Sequence, residues 1–291
     1  MIKPLLRLAL ALAAAVLFAG CSGARLAYNN ADTVVRWMAD DHFGFEGAQE
    51  EDFKARLARF HAWHRSHELP RYASLLTSAG EKLSDGLTEQ ELLWAWDRVK
   101  AGYRQMAAHA APDLALVLST LTPAQFERLD KKFAESGEEF VNKHIKGGEK
   151  EQRKRRYKRN LELMRDWFGD LSEEQEAQIK AWNDKMPLLY ELRLQNRQRR
   201  QTEFIALLKQ HRSAEELEPQ LRRWLTDWDA GADPEYRRLS DIHQEQYIEM
   251  LLELDRGLTT LQRAHALTRL NEYAELFRAL AEQNKAAPSG S

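Results

Sequence analysis

Apolar side chains return every third or fourth position along most of this 291-residue chain, a period that allows little except packed α-helices. Between residues 92 and 106 the run is Leu92, Trp96, Val99, Tyr103 and Met106, a seam that predicts burial against a second helix. A similar face extends from Gln49 to about Leu76 through Phe53, Leu57, Phe60, Trp63 and His64, with Pro70 expected to kink or restart it. The last helix shows Leu267, Leu270, Ala274, Phe277 and Leu280. Strand signals are nearly absent, and only 14 Gly and 8 Pro interrupt the chain. The expected fold is all-α, an elongated bundle of long amphipathic helices, with eight Trp to fill its core.

Helix starts are marked with unusual clarity. Leu87-Thr88-Glu89-Gln90-Glu91, Leu121-Thr122-Pro123-Ala124-Gln125, Leu171-Ser172-Glu173-Glu174-Gln175 and Leu258-Thr259-Thr260-Leu261-Gln262 share one pattern. In each, the hydroxyl of Thr88, Thr122, Ser172 or Thr259 is placed to cap the third helical N–H, and the Glu or Gln to reach back to the cap N–H. Further helices are expected from near Glu149, Ser213 and Pro234, and the one from Ser172 is expected to run on past Pro187 to Lys209. Residues 25–39 read as a short helix or tether, and residues 78–86 as a loop.

The N-terminus points to export. Lys3 and Arg7 precede an apolar run from Leu8 to Ala19, about 12 residues where a membrane span needs about 20. Ala19 and Gly20 then lead to Cys21, and Leu17-Phe18-Ala19-Gly20-Cys21 resembles the lipobox of bacterial lipoproteins. Cys21 is the single Cys of the chain, so no internal disulfide is available to it. The expectation is a lipoprotein signal peptide over residues 1–20 and acylation of Cys21, with more than one chain for a stable anchor. Residues 21–47 would form the lipidated tether, residues 48–284 a helical bundle domain with a possible hinge at 147–148, and residues 285–291 a tail. Ser22 in place of Asp resembles the sorting signal for the outer membrane.

Charge excludes one class of partner. With the leader's two cations removed, the balance of 43 basic and 45 acidic residues leaves four net negative charges, which gives nucleic acid no attraction. The sharpest basic cluster is Lys150, Arg153, Lys154, Arg155, Arg156, Lys158 and Arg159. It is either a solvated face neutralised by Glu149, Glu151 and Glu162 or a surface for lipid phosphates, lipopolysaccharide or acidic protein segments. Arg193, Arg197, Arg199 and Arg200 form a second cluster that shares a groove with the first if the two helices meet. His61, His64 and His67 lie three apart, a spacing that rotates them around a helix, so they suit a polar face beside Trp63 better than a metal. No Gly-x-Ser-x-Gly, His-Glu-x-x-His or phosphate-cradling loop occurs, so no catalytic, metal or cofactor site is expected.

Two resemblances add to this. The Leu-Thr-x-x-Gln pattern is similar to the repeated motif of the Spy/CpxP-type periplasmic chaperones, which hold unfolded chains without ATP. Arg25-Leu26-Ala27-Tyr28-Asn29-Asn30-Ala31-Asp32, then Trp37, Asp40 and Asp41, look like the N-terminal signature of an uncharacterised family of Gram-negative lipoproteins. Residues 63–73, Trp-His-Arg-Ser-His-Glu-Leu-Pro-Arg-Tyr-Ala, resemble that family's second signature. The resemblances imply a lipid-anchored envelope protein facing the periplasm. The expected role is non-enzymatic: binding polypeptide clients or envelope components on a helical surface, or else serving as an adaptor for one folded envelope partner.

Overall fold

A computed structural model describes residues 20–210 and 213–283, with side chains from residue 23 onward. The leader through residue 19, the Cys21 side chain and the tail from 285 fall outside the described residues. The chain is a multi-helix, all-α bundle. Its helices are α1 (Gly20–Asn29), α2 (Ala31–Phe43), α3 (Ala48–Trp63), α4 (Leu69–Leu83), α5 (Glu89–Leu118) and α6 (Pro123–Phe140). They continue as α7 (Gly148–Phe168), α8 (Glu173–Lys185), α9 (Tyr190–Gln210), α10 (Ala214–Thr226), α11 (Pro234–Arg256) and α12 (Thr260–Gln283). No described helix is long and apolar enough to cross a membrane.

All four expected capping boxes form. Thr88 Oγ1 accepts from Glu91 N at 3.3 Å while Thr88 N donates to Glu91 Oε2 at 3.0 Å. Gln125 caps with Thr122, Gln175 with Ser172 and Gln262 with Thr259 in the same reciprocal way. The glutamines do more than cap. The Gln175 and Gln262 amides exchange hydrogen bonds at 2.9 and 2.8 Å in a buried pair, tying the start of α8 to the start of α12. Gln125 and Gln49 do the same for α6 and α3, at 2.7 and 3.3 Å. A motif that reads as local punctuation thus also docks helix ends on one another.

Several expectations change. Residues 78–86 are not a loop, because α4 runs to Leu83. The small residues there serve packing: a Cβ on Gly80 would lie 3.9 Å from Leu267 and 4.0 Å from Leu270, so the glycine lets α12 approach closely. The helix from Ser172 stops at Lys185, and α9 starts afresh at Tyr190 beyond Pro187, whose ring cannot continue a helix. Residues 25–39 divide at Asn30, whose side chain donates to the Leu26 carbonyl at 2.8 Å and closes α1. The seam on α5 is only half buried, with Trp96 and Val99 47% and 60% exposed, while the buried line shifts to Ala107, Ala111, Ala115 and Leu118.

Pro70 restarts the helix as expected, and the way it does so is specific. Residues His64–Glu68 form a π-helical turn joining α3 to α4. Pro70 has no N–H to offer the Ser66 carbonyl, and a widened turn accommodates its ring. A second π-helical turn, Val141–Ile145, ends α6. Gly147 and Gly148 then reverse the chain at φ of +95° and +73°, values that favour glycine.

Buried apolar residues gather in three clusters. The largest joins Phe43, Phe126, Leu129, Phe204, Leu217 and Leu221, and so draws helices from both sides of Gly147–Gly148 into one core. A second packs Leu69 against Tyr273, Leu276 and Leu280, with Ala24 of α1 beside them. The third holds Met164, Ile179, Met186, Met250 and Leu254.

Candidate functional site

The two sequence signatures at residues 25–41 and 63–73 meet in space. Tyr28 Oη lies 2.9 Å from His64 Nδ1, and the Tyr28 ring packs 5.0 Å from His61. Arg65 donates to Asn29 Oδ1 at 2.8 Å, stacks over Tyr28 at 5.0 Å and reaches Leu280 O and Gln283 Oε1 of α12. Glu68 is fully buried, with Arg71 Nη1 at 3.7 Å and Tyr72 beside it. Burial, then the nearby Glu68 carboxylate, raises the Tyr72 phenol; burial likewise raises Tyr28. Burial, followed by His61 and Arg65, lowers His64 to about 4, so this imidazole is neutral at physiological pH.

This arrangement is a fastening. It binds α1, whose first turn includes Cys21, to the π-helical turn and to the last helix. The three histidines separate as the spacing predicts: His61 and His64 share Tyr28, whereas His67 stacks on Trp63, 6.1 Å between rings. Among the described residues no group of three or more His, Cys, Asp or Glu is placed to hold a metal.

The basic cluster on α7 splits by residue type. Arg156 is buried and points its fork at the end of α8, donating to Asn183 Oδ1 at 3.0 Å, Met186 O at 3.0 Å and Pro187 O at 2.8 Å. Arg153 donates to Asp184 O at 2.7 Å and Met186 O at 3.2 Å, and Arg155 to Lys146 O at 2.7 Å. These guanidiniums satisfy carbonyls that a helix end or a turn leaves without partners. Lys150, Lys154 and Lys158 lie four apart on the exposed face of α7. Lys158 pairs with Glu162 at 3.8 Å. Arg159 is exposed and donates to Tyr190 Oη at 3.3 Å.

The second cluster divides likewise. Arg200 is buried against Trp224, 4.1 Å over its ring, with its donors on the Trp224 and Asp227 carbonyls. Arg197 is buried and donates to Ser136, and Arg199 pairs with Glu203. Arg193 alone of this set turns toward α7, where it lines a small cavity with Arg156 and Arg159. The two basic helices therefore do meet, at one point.

A larger opening lies between α6 and α9. This groove of about 780 Å3 is lined by Phe133, Ala134, Val141 and Ile205 together with polar and charged residues, among them Asp130, Gln198, Thr202 and Lys209. Gly137 also lines it, and a Cβ there would meet nothing within 4 Å. No part of the sequence reading singled out this groove, because its walls come from helices some 60 residues apart with no distinctive motif.

These features define an all-helical protein whose distinctive surfaces are the groove between α6 and α9 and an arginine-lined cavity. Residues 41–237 match a family of unknown function, DUF6279, and the chain belongs to that family. The match takes in the second signature at residues 63–73. No curated protein and no solved structure matches the chain.

Proposed function

We propose that the protein is a non-enzymatic, lipid-anchored component of the bacterial envelope that holds extended or helical polypeptide segments in the groove between α6 and α9. The observation that carries this reading is the groove itself. At about 780 Å3, with apolar side chains interleaved among polar and charged ones, it suits side chains of a bound segment. Membrane attachment through Cys21 is supported by the lipobox resemblance and by Leu26, Val34 and Trp37, which stand 67%, 39% and 70% exposed just beyond it. An exposed Trp and aliphatic face this close to an acylated residue suits the headgroup boundary.

The test uses the full chain and a chemically denatured client. Wild type is expected to suppress client aggregation at modest molar excess. Gly137→Phe fills the groove from a position with room for a side chain, so it should abolish suppression while leaving the helical circular dichroism unchanged. Absence of suppression by wild type at large excess sinks the holding role, and equal suppression by the variant moves it away from the groove. Crosslinking in cells from Gln198, on the groove wall, is expected to capture many polypeptides; one stoichiometric partner would mark an adaptor instead.

A further inference from the structure

The cavity between α7, α9 and α11 gathers cationic side chains without an acid. Its volume is about 70 Å3, and Arg156, Arg159, Arg193, His243, Tyr190 and Tyr247 are among its walls. Three guanidiniums converge there, and no carboxylate is among the lining residues. On α7 and α9, Glu149 pairs with Arg153, Glu162 with Lys158, and Glu191 accepts from Gln152. Arg193 has no salt-bridge partner among the described residues. Burial, followed by Arg193, Arg156 and Arg159, lowers His243 to about 4, and the causes include no compensating acid.

Like charges gathered in a partly enclosed space repel one another, and an anion bound between them removes that cost. We infer that this cavity is a binding site for a small oxyanion, a phosphate group held by Arg159 and Arg193 with Arg156 supplying charge behind them. Arg156 has its donors committed to carbonyls of residues 183–187, so it acts through its field. Arg159 and Arg193 retain donors, and a guanidinium fork matches a phosphate's oxygens in pairs. Size restricts the ligand. A cavity of about 70 Å3 falls well below the roughly 300 Å3 at which sites for whole organic molecules begin, so only the anionic group enters. The group can arrive as free inorganic phosphate or as the terminal phosphate monoester of a lipid headgroup.

The experiment is calorimetric titration of the full chain in a non-ionic detergent, with inorganic phosphate in one arm and water-soluble short-chain phosphatidic acid in the other. Binding is expected in at least one arm at millimolar or lower concentration. Arg193→Gln and Arg159→Gln should each weaken it at least about tenfold, the effect of deleting one charge-assisted hydrogen bond. Lys158→Gln, on the outward face of the same helix, should leave affinity within about twofold, because exposed charges contribute little. Tighter binding of the lipid assigns the site to a headgroup; equal or tighter binding of inorganic phosphate assigns it to the free ion. No heat in either arm, or an equal loss in Lys158→Gln, overturns the proposal. Folding of each variant is checked by its unfolding midpoint without ligand.

Discussion

The fastening around Tyr28 and His64 and the cavity around Arg193 are both partly buried polar assemblies, yet they handle charge in opposite ways. At the fastening, Arg65 divides its donors among Asn29, Leu280 and Gln283, Glu68 faces Arg71, and Tyr28 meets His64. Opposite charges face each other there, with Arg71 3.7 Å from the buried Glu68 carboxylate. At the cavity three guanidiniums and His243 share a wall without a carboxylate. Burying polar groups is tolerated when they are matched, and an unmatched concentration of one sign is the mark of a place meant for something else.

Arg156 and Arg193 allow the sharpest test, since they share the cavity but not its chemistry. Arg156→Met removes donors from the Asn183, Met186 and Pro187 carbonyls and should cost about 3–5 kcal/mol in urea unfolding. A loss below about 1 kcal/mol would show that its carbonyl contacts are dispensable.

Acid should weaken the fastening through His64. Its folded value of about 4 lies below the ordinary 6.5, so between these values the unfolded chain binds more protons. The stability from the neutral imidazole is therefore complete above about 6.5 and is lost as pH falls toward 4, by up to about 3 kcal/mol. His64→Gln should flatten the fall of the melting temperature between pH 7 and pH 4.5. An unchanged slope would remove His64 from the account.

A smaller effect is expected at the junction of helix starts. Gln175→Ala and Gln262→Ala should each cost about 1–2 kcal/mol, and the double variant less than their sum, because either change breaks the same buried amide pair. Strict additivity would mean the two amides act only as local caps. The smallest change belongs to Arg193→Gln. It should leave stability within about 0.5 kcal/mol or raise it slightly at low salt, by thinning the like charges. A loss as large as that of Arg156→Met would erase the distinction between the two regions.

Much of this architecture was legible in residue order. Capping boxes are local: a hydroxyl and an amide three residues apart contain everything the hydrogen bonds require, and Thr88, Thr122, Ser172 and Thr259 start helices as read. The all-α class followed from periodicity for the same reason. Pro70 announced a restart, although the π-helical form of the turn did not follow from its position. The candidate sites were less visible. The basic run on α7 was evident as composition, but that Arg153, Arg155 and Arg156 turn inward to carbonyls while Lys150, Lys154 and Lys158 face outward was not.

Partner choice explains that difference. A helical period shows which face is apolar and is silent on what will cover it. Trp96 and Val99 extend a regular seam and still face solvent, while Gly80, in a stretch resembling a loop, lies under another helix. Arg156 is held by carbonyls about 30 residues away, and Arg193 meets it only because Pro187 breaks one long rod into two helices. Hydrogen bonds within a turn depend on neighbours along the chain. Burial, field and cavity depend on which helices pack together, and that is settled only when the whole bundle closes.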